Sequence, residues 1–296
     1  IVKINKSSFS TIISCVSTDK PVRKTSYQVK GVLMKELPKE KFVPHINGKY
    51  RFDFLYPRIQ VKILNEKIYL IGIKEGVEPI LELNEKLEKM NFGNITFNVE
   101  NIKYEVYKKN FEEKNQLFHY KFLNPWVALN QMNMKKFKTI KNNEKEMFLN
   151  KLLGQNIAFL AKEFNVEIKK SIYIDISLDK LDVETMEDGK TGSFEGSFKT
   201  NIILPNLIGV GNGITKGYGV ITSNINYPEF CDFLDDNEKK ISSEKLPEDW
   251  ESKSISPSDI PLSKRKKKKK KKEKKIEKNK KIEPNFNSAK YHSKTH

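Results

Sequence analysis

The sequence predicts an α+β protein built from two tandem units of β-α-β-β-α-β type, followed by a lysine-rich tail. Three observations predict it. Apolar residues alternate at period two in short runs and recur at helical spacing between them. The two kinds of segment follow in similar order in each half. After about residue 226 the composition turns to acidic and Ser/Pro segments and then to lysine.

In the first half, residues 1–16 read as a strand through Val2, Ile4, Ile12, Ile13 and Val16. Residues 22–37 fit a helix with Val29, Val32, Leu33 and Leu37 on one face. Pro38 and Pro44 bracket a loop holding His45, Asn47 and Gly48. Residues 52–64 and 67–74 read as a hairpin turning at Asn65 and Glu66. Gly76 precedes an amphipathic helix with Ile80, Leu83, Leu87 and Met90 at three- and four-residue steps. Residues 95–107 alternate again through Ile95, Phe97 and Val99. This order is that of a ferredoxin-like unit.

The second half opens with a strand at 119–127. Helices follow at 130–137 and 144–164, the latter with a stripe of Leu149, Leu153, Ile157, Leu160 and Phe164. Strands are expected at 166–178, 181–187 and 193–204, and a last one at 218–224. The pattern is β-α-β-β with a terminal strand, a second and modified ferredoxin-like unit. The expected domains are therefore 1–113, 114–226, and a low-complexity, disordered tail at 227–296.

The chain of 296 residues has a formal net charge of +17. Residues 260–296 carry +13 of it, which leaves +4 for the rest, so bulk charge alone does not establish RNA binding. Nine basic residues in a row at 264–272 repel one another and offer no apolar face. They read as disorder, as a nucleic-acid-grabbing arm, or as the product of an A-rich gene end read past its stop. The chain starts with Ile1, which reads as a truncated or processed beginning, with no signal peptide in view. No apolar run is long enough for a membrane span. Cys15 and Cys231 are far apart and outside any CxxC, which fits a reducing cytoplasm and argues against a zinc site or a disulfide scaffold.

The most specific segment is Leu-Pro-Asn-Leu-Ile-Gly-Val-Gly-Asn-Gly-Ile-Thr-Lys-Gly-Tyr-Gly at 204–219. Gly209, Gly211, Gly213, Gly217 and Gly219 permit positive φ and close approach, so successive N–H groups could cradle a phosphate, with Thr215 and Lys216 adding a hydroxyl and a charge. A dinucleotide-binding turn would need a helix next, yet 220–226 reads as strand; no Walker A motif is present.

Residue type alone leaves the histidines open. His292 and His296 lie in the tail. His119 begins a strand between Phe118 and Tyr120 and suits a structural role, and His45 lies in a polar loop. Tyr50 and Tyr56 are either strand aromatics or hydrogen-bonding and stacking groups. Lys49, Arg51 and Lys62 are either phosphate contacts or solvated charges. Trp126 after Pro125 suits a core.

Four segments in order carry a resemblance. They are Tyr-Pro-Arg-Ile-Gln-Val-Lys at 56–62, Ile-Gly-Ile-Lys-Glu-Gly-Val at 71–77, Tyr-Lys-Phe-Leu-Asn-Pro-Trp-Val-Ala-Leu-Asn-Gln at 120–131, and the glycine-rich segment. Together they resemble the CRISPR-associated precursor-RNA endoribonucleases, subtype "b", over about residues 25–222. That resemblance implies two tandem ferredoxin-like domains and cleavage of CRISPR repeat RNA by its own 2′-OH, with no metal and no cofactor. It implies repeat RNA as partner, with other effector subunits beside it, in a monomeric or homodimeric cytoplasmic protein. The family's catalytic segment, often His-Asn-His, corresponds here to Val43-Pro44-His45. His45 is thus the implied catalytic histidine, with Tyr50 and Lys49 beside it, and Val43 stands where a first histidine would be. Arg51, Lys62 and the glycine segment are the implied RNA contacts. No Asp/Glu-His cluster stands at ligand spacing. The Val43 departure also fits a non-cleaving relative that binds repeat RNA or scaffolds an effector complex.

Overall fold

In the computed structural model, the structure describes residues 10–186 and 189–256. The lysine run, His292 and His296 lie outside the described residues.

The first unit runs β1 (Ser10–Thr18), α1 (Ser26–Glu36), a short α2 (Val43–Ile46), β2 (Ile59–Leu64), β3 (Lys67–Ile73), α3 (Val77–Lys86), β4 (Lys89–Asn91) and β5 (Thr96–Lys108). Its antiparallel sheet has the order β2-β3-β1-β5-β4, the ferredoxin-like arrangement with a short strand added at one edge. Asn65 and Glu66 turn the β2–β3 hairpin with both φ values positive. A capping box of Thr25 and Gln28 starts α1, and Val29, Val32 and Leu33 are its buried face. Each such side chain contributes roughly 1.5–3 kcal/mol on burial. The expected stripe of the second helix is shorter than its spacing suggested. α3 ends at Lys86, Leu87 is extended, and Met90 belongs to β4 opposite Phe97.

The second unit runs β6 (Glu112–Phe122), β7 (Trp126–Leu129), α4 (Gln131–Thr139), α5 (Asn142–Phe164), β8 (Ile172–Leu178), β9 (Glu184–Thr185), β10 (Gly192–Phe194), β11 (Gly196–Ile203) and β12 (Ile221–Thr222). Its main sheet has the order β12-β6-β11-β8, which repeats β5-β1-β3-β2 of the first. Where the first unit has α3, the second has the glycine-rich segment 204–219.

Strands β1, β2 and β3 of the first sheet are buried on both faces, which positions the site. Ile12, Val16, Ile68 and Leu70 face α1 and α3, whereas Ile13, Cys15, Tyr69 and Ile71 join the core of the second unit. Alternation along β1 therefore separates two apolar environments rather than core from water.

The boundary expected at residue 226 needs correction, because packing continues to residue 256. Cys231 and Leu234 are buried, and Phe233 meets Tyr69 with ring centroids 5.4 Å apart. A short α6 (Asp236–Lys239) starts on a capping box of Asp235 and Glu238. β13 (Glu244–Lys245) pairs with β6, and β14 (Ser254–Ile255) pairs with β8. Aromatic anchors among acidic residues hold this segment, so its average composition misrepresents it.

Candidate active site and glycine-rich seam

Two clusters lie along the segment from Tyr50 to Lys62. The first surrounds His45 in α2. Its ring lies parallel to Phe54, with centroids 5.8 Å apart and planes 9° off, and meets Tyr50 edge-on at 4.9 Å. The Tyr50 backbone N–H donates to the Pro44 carbonyl at 3.2 Å, which folds residues 44–54 into one compact turn. Phe54 also meets Arg58, whose guanidinium lies 4.6 Å from the Phe54 ring and 4.6 Å from the Phe164 ring. Arg58 is only 4% exposed and is paired with Glu75 at 2.7 Å and Glu163 at 3.4 Å. Such a buried charge persists because it is paired and hydrogen-bonded.

Burial lowers the His45 pKa from its usual value; Glu75 opposes that and Arg58 reinforces it. Burial thus disfavours the imidazolium, and the buried Nδ1 has no hydrogen-bond partner among the described residues. A neutral imidazole of this kind can accept a proton near neutral pH. Lys49 and Arg51 are exposed beside it, and the Arg51 guanidinium lies 5.1 Å over the Phe52 ring. Val43, half-buried, packs on the core of the first unit.

The second cluster is the seam between the first unit and the glycine segment. Tyr56 donates its hydroxyl proton to the Gly209 carbonyl at 2.7 Å, and the Gln60 Oε1 accepts from the Gly209 N–H at 2.9 Å. The Lys62 ammonium donates to the Ile214 carbonyl at 3.2 Å, and the Lys30 ammonium donates to the Thr215 carbonyl. Desolvation lowers Lys62 to about 7, helped by the neighbouring Lys30 charge, and lowers Lys30 to about 8. No carboxylate pairs with either lysine among the described residues.

Two expectations for this segment are corrected here. Lys62 is 0% exposed and holds the loop from beneath, so it does not present its charge to solvent. The glycine segment is also not an open cradle of N–H groups. The amides of Gly209, Val210, Asn212, Gly217, Gly219 and Val220 already donate within the protein. The glycines serve close packing instead. Gly211 has φ +89° and a Cβ there would stand 2.7 Å from the Trp126 indole nitrogen, while a Cβ on Gly219, at φ +65°, would fall on the Val210 carbonyl. Thr215 and Lys216 remain exposed at the rim, with Gly213 beside them at positive φ.

Trp126 is buried and stacks on Phe122, with centroids 5.5 Å apart. His119 meets the Glu244 carboxylate at 2.8 Å and takes part in holding β13. A cavity of about 440 Å³ opens beside it, lined by His119, Lys121, Asn124, Asp179 and Glu238 among others. None of the site residues expected from sequence lines it. Sequence reading missed Phe54, Arg58 and Glu75 as supports of His45, and Lys30 as the partner of Lys62. Only Arg58 left a signal, being a charge inside an otherwise apolar strand entry. It also missed Lys135, Lys136, Lys138 and Lys141, exposed on and just after α4 with no ion pair among the described residues.

A paired ferredoxin-like architecture, with a glycine-rich segment in place of the last helix and docked on the first unit, defines the Cas6 class of fold. Residues 9–116 match the Cas6b N-terminal domain and residues 112–224 match the Cas6b C-terminal domain. The chain belongs to the Cas6b family. An uncharacterized protein of Methanocaldococcus jannaschii is 30% identical over 141 aligned residues, and the match covers 44% of this chain and 96% of that protein. A crystal structure of Cas6b superposes with a TM-score of 0.59 at 22% identity, covering 72% of this chain and 98% of the other. A second, of a CRISPR RNA processing endoribonuclease Cas6b, gives 0.55 at 20% identity with the same coverage. Both show the fold. No helix among the described residues is long and apolar enough to cross a membrane.

Proposed function

We propose that this protein processes CRISPR repeat RNA, cutting it through the RNA's own 2′-OH with His45 in the proton transfers. The observation that supports the reading is the packing of the His45 imidazole between Tyr50 and Phe54, in the segment that resembles the family's catalytic one. In the reaction the 2′-oxygen bonds to the adjacent phosphorus and the 5′-oxygen leaves. The 2′-OH proton passes to a base, and a proton is delivered to the leaving oxygen. The products are a 2′,3′-cyclic phosphate and a 5′-OH. Proton transfer of this kind contributes roughly 10²–10⁴-fold. Tyr50 and Lys49 would donate to the crowded phosphorane, and neither step calls for a metal. Arg51, Lys216 and the exposed lysines around α4 supply positive charge for the RNA backbone. The setting is the cytoplasm, in keeping with two free, buried cysteines.

One observation favours a second reading. Val43, at the position of the family's first histidine, is an apolar packing residue, so a repeat-RNA-binding protein without cleavage remains the alternative. Incubating the protein and its His45→Ala variant with repeat RNA separates the two. Cleavage lost in the variant with binding retained supports the enzyme. Tight binding without cleavage by either supports the binder.

A further inference from the structure

We infer that Tyr27 is a stacking platform for an unpaired RNA base, held at the outer edge of the seam between α1 and the glycine segment. The inference rests on the RNA reading above and adds an RNA-positioning residue to it.

Tyr27 is 79% exposed, more than any other aromatic side chain among the described residues. Its ring makes no aromatic or cationic contact among the described residues. Helix propensity does not call for it, because tyrosine is a poorer helix former than alanine or lysine. Its neighbours on α1 fix its location. Ser26 and Lys30, one turn apart and both buried, form the stripe that meets the segment. A Cβ on Gly217 would lie 2.7 Å from the Ser26 hydroxyl, and the Lys30 ammonium is bonded to the Thr215 carbonyl. With 100° per residue, Tyr27 flanks that stripe on its solvent side. Thr215 and Lys216 are exposed, and their backbone lies against α1 through the Lys30 and Ser26 contacts.

The next residue on this flank, one turn further along, is Gly31. A Cβ built there meets nothing within 4 Å, so the surface beside the ring is open. An exposed ring, open space beside it and an unpaired lysine nearby match one unpaired base and its phosphate. Aromatic stacking accepts any base, and the lysine takes the backbone charge. A protein partner would be expected to ask for a broader apolar surface than a single ring.

The test titrates dye-labelled repeat RNA with the wild type, Tyr27→Ala, Tyr27→Phe and Lys216→Ala. A parallel set carries single abasic nucleotides across the repeat. Stacking is worth roughly 1–3 kcal/mol per base, which corresponds to a 5- to 150-fold change in Kd. Tyr27→Ala is expected to weaken binding within that range, and Tyr27→Phe to bind as the wild type. One abasic position should weaken the wild type equally and add nothing in Tyr27→Ala. Equal binding by wild type and Tyr27→Ala overturns the platform while leaving the RNA reading intact. So does a loss in Tyr27→Ala that stays additive at every abasic position. A wild type that does not bind the repeat overturns both. Circular dichroism of Tyr27→Ala should match the wild type, since alanine is at least as good in a helix.

Discussion

His45 and Phe54 stack with planes 9° apart, and the Arg58 guanidinium also lies against the Phe54 ring. Three residues of different chemical character thus form one chain of contacts, which Glu75 and Glu163 anchor through Arg58. These contacts fix the imidazole by packing rather than by a hydrogen bond to its buried nitrogen.

Phe54→Ala removes the middle of that chain of contacts. Cleavage is expected to fall on the order of 10- to 100-fold, because displacement of a reacting group by about 1 Å costs that much. The loss should appear in kcat with repeat-RNA affinity nearly unchanged. Single-turnover kinetics beside a binding titration check it.

Glu75→Gln tests the electrostatics. The Glu75 carboxylate raises the His45 pKa against the lowering by burial and by Arg58. Removing its charge should lower that pKa further, so the imidazole stays neutral to more acidic pH. The acid limb of the cleavage profile then moves to lower pH, and the His45 ring protons follow in an NMR titration. A shift to higher pH would contradict the arrangement.

Lys62 makes stability depend on pH. Its folded-state pKa of about 7 lies below the unfolded value near 10.4, so the unfolded chain binds more protons between them. Stability should therefore rise as pH increases from about 7 towards 10, and this contribution is lost as pH falls through 7. Lys62→Met should flatten that part of the curve, as read from denaturant midpoints at pH 6, 8 and 10.

Two glycines should respond oppositely to alanine. Gly31 sits in α1 with open space around it, and Gly31→Ala should stabilise by about 0.5–1 kcal/mol. Gly219→Ala brings a Cβ onto the Val210 carbonyl at positive φ and should cost more than about 1 kcal/mol. Thermal melts of both variants decide it.

Much of the architecture was legible in the sequence because apolar alternation and helical stripes survive in both halves. The strands around Asn65 and Glu66, the stripe of α5 and the buried face of α1 follow directly from spacing. Within the candidate site the sequence singled out His45, through the family resemblance and its spacing to Tyr56 and Pro57. Its supports were not legible, since Phe54, Glu75 and Phe164 become neighbours through Arg58 only after folding. Lys62 misled for a related reason: a lysine in a strand reads as surface charge unless the loop that covers it is known. The segment after residue 226 misled because four aromatic or aliphatic anchors, Tyr227, Phe230, Phe233 and Leu234, stand among acidic residues. A chain ending at 226 should accordingly melt at a lower temperature than one ending at 256.

The most direct test of the central claim is cleavage of repeat RNA in excess EDTA, with single 2′-deoxy substitutions placed across the repeat. The account predicts cutting in EDTA that one deoxy position abolishes and that His45→Ala eliminates. Cutting that persists with every deoxy substrate, or that requires an added divalent ion, would contradict it.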